Sequence, residues 1–183
     1  MAVEIEKKYR LTRKQREEVL QGLPKLGAKR KSEEFEVNTL YAGETIDLGH
    51  SVLRLRRIGK RGILTYKERF PTRSSIKHQR EDETKVDDPD AMELILEALG
   101  FTRALVYEKR RETWVLGKTQ IVIDELPFGL FMEIEGTEQD IRDIESKLAI
   151  KRLRTEMATY PKLTIKHGTD QGGIIESRFP ERK

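Results

Sequence analysis

The sequence contains no cysteine, which excludes disulfides and thiolate metal sites. It has no long apolar run that could span a bilayer, and its N-terminus carries no apolar signal region. A cytoplasmic protein, away from any membrane, is therefore expected. Apolar residues are scarce, at 36% against 37% charged, so either much of the chain is disordered or part of its interior is polar. Aromatic residues make up only 7%, yet they and the β-branched residues are spread over the first 165 positions, which argues against wholesale disorder. A length of 183 residues suits one domain, or one domain with a tail. The net charge of +4 favours anionic partners only mildly.

What the chain does have is charge in register. Near its start stands Glu4-Ile5-Glu6-Lys7-Lys8. In a strand over 3–11, side chains alternate between faces, so Glu4, Glu6, Lys8 and Arg10 share one face, and Val3, Ile5 and Tyr9 the other. Such a row suits either a solvated strand face or the wall of a wet cavity that holds a metal and a polyanion together. Later strands decide between the two. Alternation and turn residues predict strands at 33–41, 51–57, 63–70, 78–86, 101–116, 119–125 and 130–136. Helices are expected over 12–23, from Pro89 to a stop at Gly100, and after Thr137, each opened by a capping signal and striped with apolar residues. Residues 42–50 and 71–77 read as loops, the second of them basic. Around Tyr160-Pro161 a short helix or an extended segment is expected, and 167–183 as a poorly ordered tail.

Charged rows recur on the other predicted strands: Arg54 with Arg56, Thr65 with Lys67, Glu81 with Glu83, Lys109 with Arg111, and Glu133 with Glu135. The opposite faces are too mixed to build one large core. Closing the sheet into a barrel would remove its edges and turn these rows inward, with the helices covering the apolar outside. The expected fold is thus α+β, an eight-stranded antiparallel closed β-barrel with helices packed on its outer surface. The competing arrangement is a one-sided sheet with a charged, solvated face.

The charges divide by kind. Carboxylates clustered without His or Cys are oxygen ligands that suit Mg²⁺ or Mn²⁺. Arginine and lysine in excess of those acids can engage phosphate oxygens. A metal beside a basic clamp is the equipment of phosphoryl chemistry. His50, His78 and His167 are read as surface residues, and Arg80 and Lys85 as either secondary phosphate contacts or surface residues. The basic residues alternate with acids and lack aromatic stacking platforms, so nucleic acid is not expected as a partner.

With these motifs in order, the sequence resembles the CYTH domain, or triphosphate tunnel metalloenzyme, family. The resemblance rests on Glu4-x-Glu6-x-Lys8, Arg54-x-Arg56, Thr65-x-Lys67, Glu81-x-Glu83, Lys109-x-Arg111, Asp124 and Gly129-x-Phe131-x-Glu133-Ile134-Glu135, with Thr159-Tyr160 similar to the family's Ser-Tyr motif. It implies a domain over about 1–165, an eight-stranded tunnel, and a small-molecule triphosphate as substrate. It further implies that Glu4, Glu6, Glu133 and Glu135 hold one or two Mg²⁺ or Mn²⁺ ions, with Glu83 and Asp124 as further contributors. By the same resemblance Lys8, Arg54, Arg56, Lys67, Lys109 and Arg111 grip the phosphates, and Glu4, Glu6 and Lys8 form the catalytic signature. The activity implied is hydrolysis of tripolyphosphate, thiamine triphosphate or a nucleoside triphosphate by metal-activated water. The alternative is a class IV adenylyl cyclase forming cyclic AMP and pyrophosphate. A monomer or homodimer is expected.

Overall fold

The computed structural model describes residues 2–46, 50–70, 75–148 and 150–180, without the side chains of Ala2, Val3 and Lys151. In chain order the elements are β1 (Ala2–Leu11), α1 (Arg13–Lys25), β2 (Lys29–Ala42), β3 (Ser51–Ile58), β4 (Arg61–Arg69), β5 (Lys77–Val86), α2 (Pro89–Ala98), β6 (Thr102–Leu116), β7 (Thr119–Leu126), β8 (Gly129–Glu135), α3 (Glu138–Lys147), α4 (Tyr160–His167), β9 (Thr169–Gln171) and β10 (Ile174–Ser177). A short 3-10 turn, Ile150–Arg152, follows α3.

Eight strands close into an antiparallel barrel in the order β2-β3-β4-β5-β1-β8-β7-β6, and β6 pairs back onto β2. The first and last barrel strands are therefore neighbours, with Glu6 opposite Glu135 and Lys8 opposite Glu133. Two-residue turns join β3 to β4 and β6 to β7. Each begins with a glycine at positive φ, Gly59 at 58° and Gly117 at 61°, as the twist of tight hairpins demands. Closure gives every barrel strand a neighbour on both sides.

The helices start where the sequence says they should. Thr12 and Gln15 form a reciprocal capping box on α1, Thr137 and Asp140 do the same on α3, and Asp88 caps α2 ahead of Pro89. Such caps satisfy N–H groups that the first helical turn leaves without partners. α1 and α3 bury Val19, Leu23, Ile141 and Ile144 against outward-facing Tyr9, Leu11, Ile121, Ile123, Met132 and Ile134. α2 buries Leu96 against Tyr41, Leu53, Leu55 and Val86. A third apolar cluster lies inside the barrel: Leu40, Val52, Leu105, Tyr107, Leu126 and Phe131 meet Tyr160 and Leu163 of α4.

The C-terminal segment departs from the expectation of a poorly ordered tail. β9 and β10 form a hairpin, and β10 pairs in parallel with Leu105–Tyr107 of β6. The reason lies in unequal strand lengths. β7 pairs with β6 only over Arg110–Leu116, which leaves the first half of that edge open for β10. Phe179 then packs over the Arg110 guanidinium, 4.1 Å from ring centre to carbon. No described helix is long and apolar enough to cross a membrane.

Candidate active site

Alternation along each strand sets the barrel's inner face. Glu4, Glu6 and Lys8 of β1 point into the lumen, while Tyr9 and Leu11 point out into the apolar cluster under α1 and α3. The same parity turns Arg54 and Arg56 of β3, Lys67 of β4, Glu81 and Glu83 of β5, Lys109 and Arg111 of β6, and Glu133 and Glu135 of β8 inward. All of them line one cavity of about 480 Å³. Eleven of the twelve site residues expected from the sequence thus share a single chamber; the twelfth, Asp124, lies fully buried in its wall.

The carboxylates fall into two groups. Glu4, Glu6 and Glu135 each place an oxygen within 4.8 Å of the others. Within the trio Glu4 meets Lys67 at 2.8 Å and Glu6 meets Lys77 at 3.1 Å, while the remaining acids lie among the cations of the basic wall. Glu133 bridges Lys8 at 3.0 Å and Arg111 at 2.8 Å. Asp124 accepts two hydrogen bonds from Arg111, at 2.8 and 2.6 Å, and a third from the Tyr160 hydroxyl at 2.7 Å. Glu83 accepts from Thr65 at 2.8 Å and lies 3.5 and 3.7 Å from Arg54 and Arg56. Of the six acids expected as metal ligands, the structure gathers three, and sets Glu83, Asp124 and Glu133 among the basic residues.

Protonation follows this division. Burial works against charge on every one of these carboxylates. At Glu133 it is overcome by Lys8, Arg111 and Lys109, which hold the carboxyl well below the usual range. At Glu135 burial prevails over the pull of Arg111, and Glu4, Glu133 and Glu6 add repulsion, so its pKa rises to about 7. Glu4 and Glu81 share the Lys67 ammonium, at 2.8 and 2.6 Å. Burial raises both, but Lys67 brings Glu4 down to about 2 while hydrogen bonding to Glu4 leaves Glu81 at about 8. Like charges directly opposite across a strand pair are destabilising, and Glu6 faces Glu135 in this way. Glu135, raised to about 7 beside Glu4 and Glu6, marks a part of the lumen wall that is short of positive charge. An oxygen-coordinating divalent cation fits that trio.

The basic wall is over-supplied in the opposite sense. Arg54 and Arg56 have buried Nε atoms with no hydrogen-bond partner. Burial and the neighbouring Arg54 depress the Arg56 guanidinium, only partly offset by Glu36. Both guanidinium groups belong to residues that line the chamber, and such groups suit anionic oxygens.

Sequence reading missed three contributors. Glu36 on β2 is fully buried and lies 3.1 Å from Lys109, 3.6 Å from Arg56 and 3.9 Å from Arg111. Its signal was present, because Glu36, Asn38 and Leu40 alternate with the apolar Phe35, Val37 and Thr39 that drew attention instead. Gln79 lines the chamber and donates to Glu4, and Lys77 lies 3.1 Å from Glu6. Arg80 turns outward to Asp82 and Glu68, and Lys85 is exposed. None of the three histidines lines the chamber. Part of each expected loop, 47–49 and 71–74, lies outside the described residues.

A closed antiparallel barrel with helices outside and a lumen divided into an acidic trio and a basic clamp defines a polyanion-binding chamber of the tunnel type. The CYTH domain pattern matches residues 2–169, and the chain belongs to that family. Solved structures agree. The PH1012 protein of Pyrococcus horikoshii OT3 is 26% identical, with a TM-score of 0.74 over 86% of this chain and 96% of that one. The PH1819 protein of the same organism is 24% identical, with a TM-score of 0.71 over 89% and 98%. HpAC1 from Hippeastrum, a candidate adenylyl cyclase with a dominant triphosphatase activity, is 18% identical, with a TM-score of 0.65 over 90% and 94%. No curated protein sequence matches the chain.

Proposed function

We propose that this protein is a metal-dependent phosphohydrolase acting on a triphosphate. The observation that carries this reading is the meeting, in one chamber, of the Glu4–Glu6–Glu135 trio with the Arg54 and Arg56 guanidinium groups of β3. Glu4, Glu6 and Glu135 would hold Mg²⁺ or Mn²⁺, which when bound supplies charge neutralisation and Lewis acidity to phosphoryl oxygens. Arg54 and Arg56 bind oxygens of the phosphate chain and orient it along the lumen. Lys67, Lys8, Lys109 and Arg111 complete the positive field; before substrate arrives Glu133, Asp124 and Glu36 hold Lys8, Arg111 and Lys109, and Glu83 lies beside Arg54 and Arg56. Such a preset field favours the charge that develops as phosphoryl transfer proceeds. Membership of the CYTH family and the triphosphatase activity of the Hippeastrum neighbour support this reading.

Among the described residues, the aromatic lining of the chamber is Tyr107 and Tyr160, which favours a substrate bound through its phosphates. Both belong to the apolar cluster inside the barrel. The test is phosphate release from tripolyphosphate, thiamine triphosphate and ATP, with and without Mg²⁺ or Mn²⁺. We expect metal-dependent release from at least one of the three. Turnover indifferent to metal, or none on all three, would overturn the proposal. Cyclic AMP with pyrophosphate as the products from ATP would replace it with the adenylyl cyclase reading.

A further inference from the structure

Across four neighbouring strands the register lines up one row of side chains. Lys77 of β5 faces Glu6 of β1, Glu6 faces Glu135 of β8, and Glu135 faces Gln120 of β7. Two carboxylates thus stand side by side with a donor at each end of the row. Lys77 reaches Glu6 at 3.1 Å, and the Gln120 amide donates to Glu135 Oε2 at 2.8 Å. One row along, Glu4 faces Gln79, whose amide donates to Glu4 Oε2 at 2.5 Å. Both glutamines line the chamber, and Gln79 is buried.

What these amides do follows from the charge they lack. A carboxylate only accepts, so a glutamine holds it by presenting its NH₂ group. That contact fixes the carboxylate through one oxygen and cancels none of the charge that a cation would meet. Glu133, two residues before Glu135 on β8, shows the contrast. Its neighbour on β1 is Lys8 and its neighbour on β7 is Val122. Lys8 and Arg111 hold it, and it stands outside the trio. At Glu4 the Lys67 ammonium and the Gln79 amide meet the same oxygen, Oε2.

From this we infer that Gln79 and Gln120 are positioning residues for a divalent cation, each turning one carboxylate of the trio by an uncharged donor so that Glu4 and Glu135 converge with Glu6. The inference rests on the metal-dependent reading above and adds to it two residues that act through the ligands. Outer partners of this kind orient metal-binding groups and govern affinity. An ammonium at position 120 would do the opposite of the amide: it would neutralise Glu135 and compete with the cation, while relieving the repulsion between Glu6 and Glu135.

Metal binding tests this without turnover. Mn²⁺ would be titrated into the full chain at one fixed pH, with no phosphate ligand, and free Mn²⁺ counted by electron paramagnetic resonance. Gln79→Met and Gln120→Met keep the length of the side chain and remove the donor, and each should weaken Mn²⁺ binding about tenfold or more. Gln120→Lys should weaken it as well, yet raise the melting temperature of the metal-free protein. A merely structural Gln120 would make affinity and melting temperature fall together in Gln120→Lys, and that result overturns the inference. Circular dichroism confirms that each variant is folded; if one methionine variant does not fold, the other and Gln120→Lys decide. Unaltered Mn²⁺ affinity in the folded variants overturns the positioning role while leaving the metal-dependent reading intact. No Mn²⁺ binding by the unaltered protein overturns that reading, and the positioning role with it.

Discussion

Lys109 and Glu36 show how a single residue pair decides whether this lumen can exist. Both side chains are almost wholly buried, 1% and 0% exposed, and their charged atoms lie 3.1 Å apart. Neither charge would survive there alone, because removing one partner of a buried pair strands the other in a medium that cannot solvate it. Lys109→Met should therefore cost about 3–5 kcal/mol of stability, read from urea unfolding. The double variant Lys109→Met with Glu36→Met should recover much of that loss. A single variant as stable as the parent would show that Glu36 is screened by Arg56 and Arg111 alone. The same reasoning separates two uses of carboxylate in the chamber. Glu133 and Asp124 are neutralised by their own neighbours, whereas Glu135 is not and keeps a raised pKa of about 7.

Among the elements, the helices depend on their caps and the strands on parity. Thr12→Ala removes the side-chain acceptor of the α1 capping box and should cost about 1 kcal/mol, measured by thermal unfolding, with no change in ligand binding. A loss of binding instead would mean that α1 shapes the lumen directly. Strand parity also explains how much was legible beforehand. Each of the eight barrel strands has an alternating pattern that sequence alone exposes, and the rows Glu4-x-Glu6-x-Lys8 and Glu133-x-Glu135 follow from it. Which acids gather around a cation did not follow, because that depends on register across strands. Glu133 falls opposite Lys8 and Glu135 opposite Glu6, and no pattern within a single strand encodes the offset. The C-terminal hairpin escaped notice for a related reason. Thr169–Gln171 and Ile174–Ser177 are too short and polar to signal strands, and they form because β6 outreaches β7.

For the molecule as a whole, crowded carboxylates make stability depend on pH in a direction that can be stated beforehand. Glu81 and Glu135 keep their protons to about pH 8 and about pH 7 when folded, against an ordinary value of 4.5 when unfolded. Between those limits the folded state binds more protons, so stability falls as pH rises. Glu4, held down at about 2, titrates below this window and does not oppose the trend. Metal-free protein should accordingly show a melting temperature that declines from about pH 5 to about pH 8. Mg²⁺ should raise it more at the upper end than at the lower, because a cation replaces those protons. A flat or rising profile in the absence of metal would contradict the electrostatics described here.

The seam between β1 and β8 has its own consequence for how the molecule comes into being. Glu4 and Glu6 are made long before residues 130–135, and their strand gains its second neighbour only when those residues have emerged. Closure thus depends on a pairing between distant parts of the chain, a topology associated with slow folding. The trio that would hold the cation draws on both sides of that seam, so metal uptake should mark the final act of maturation and serve as a clock for it.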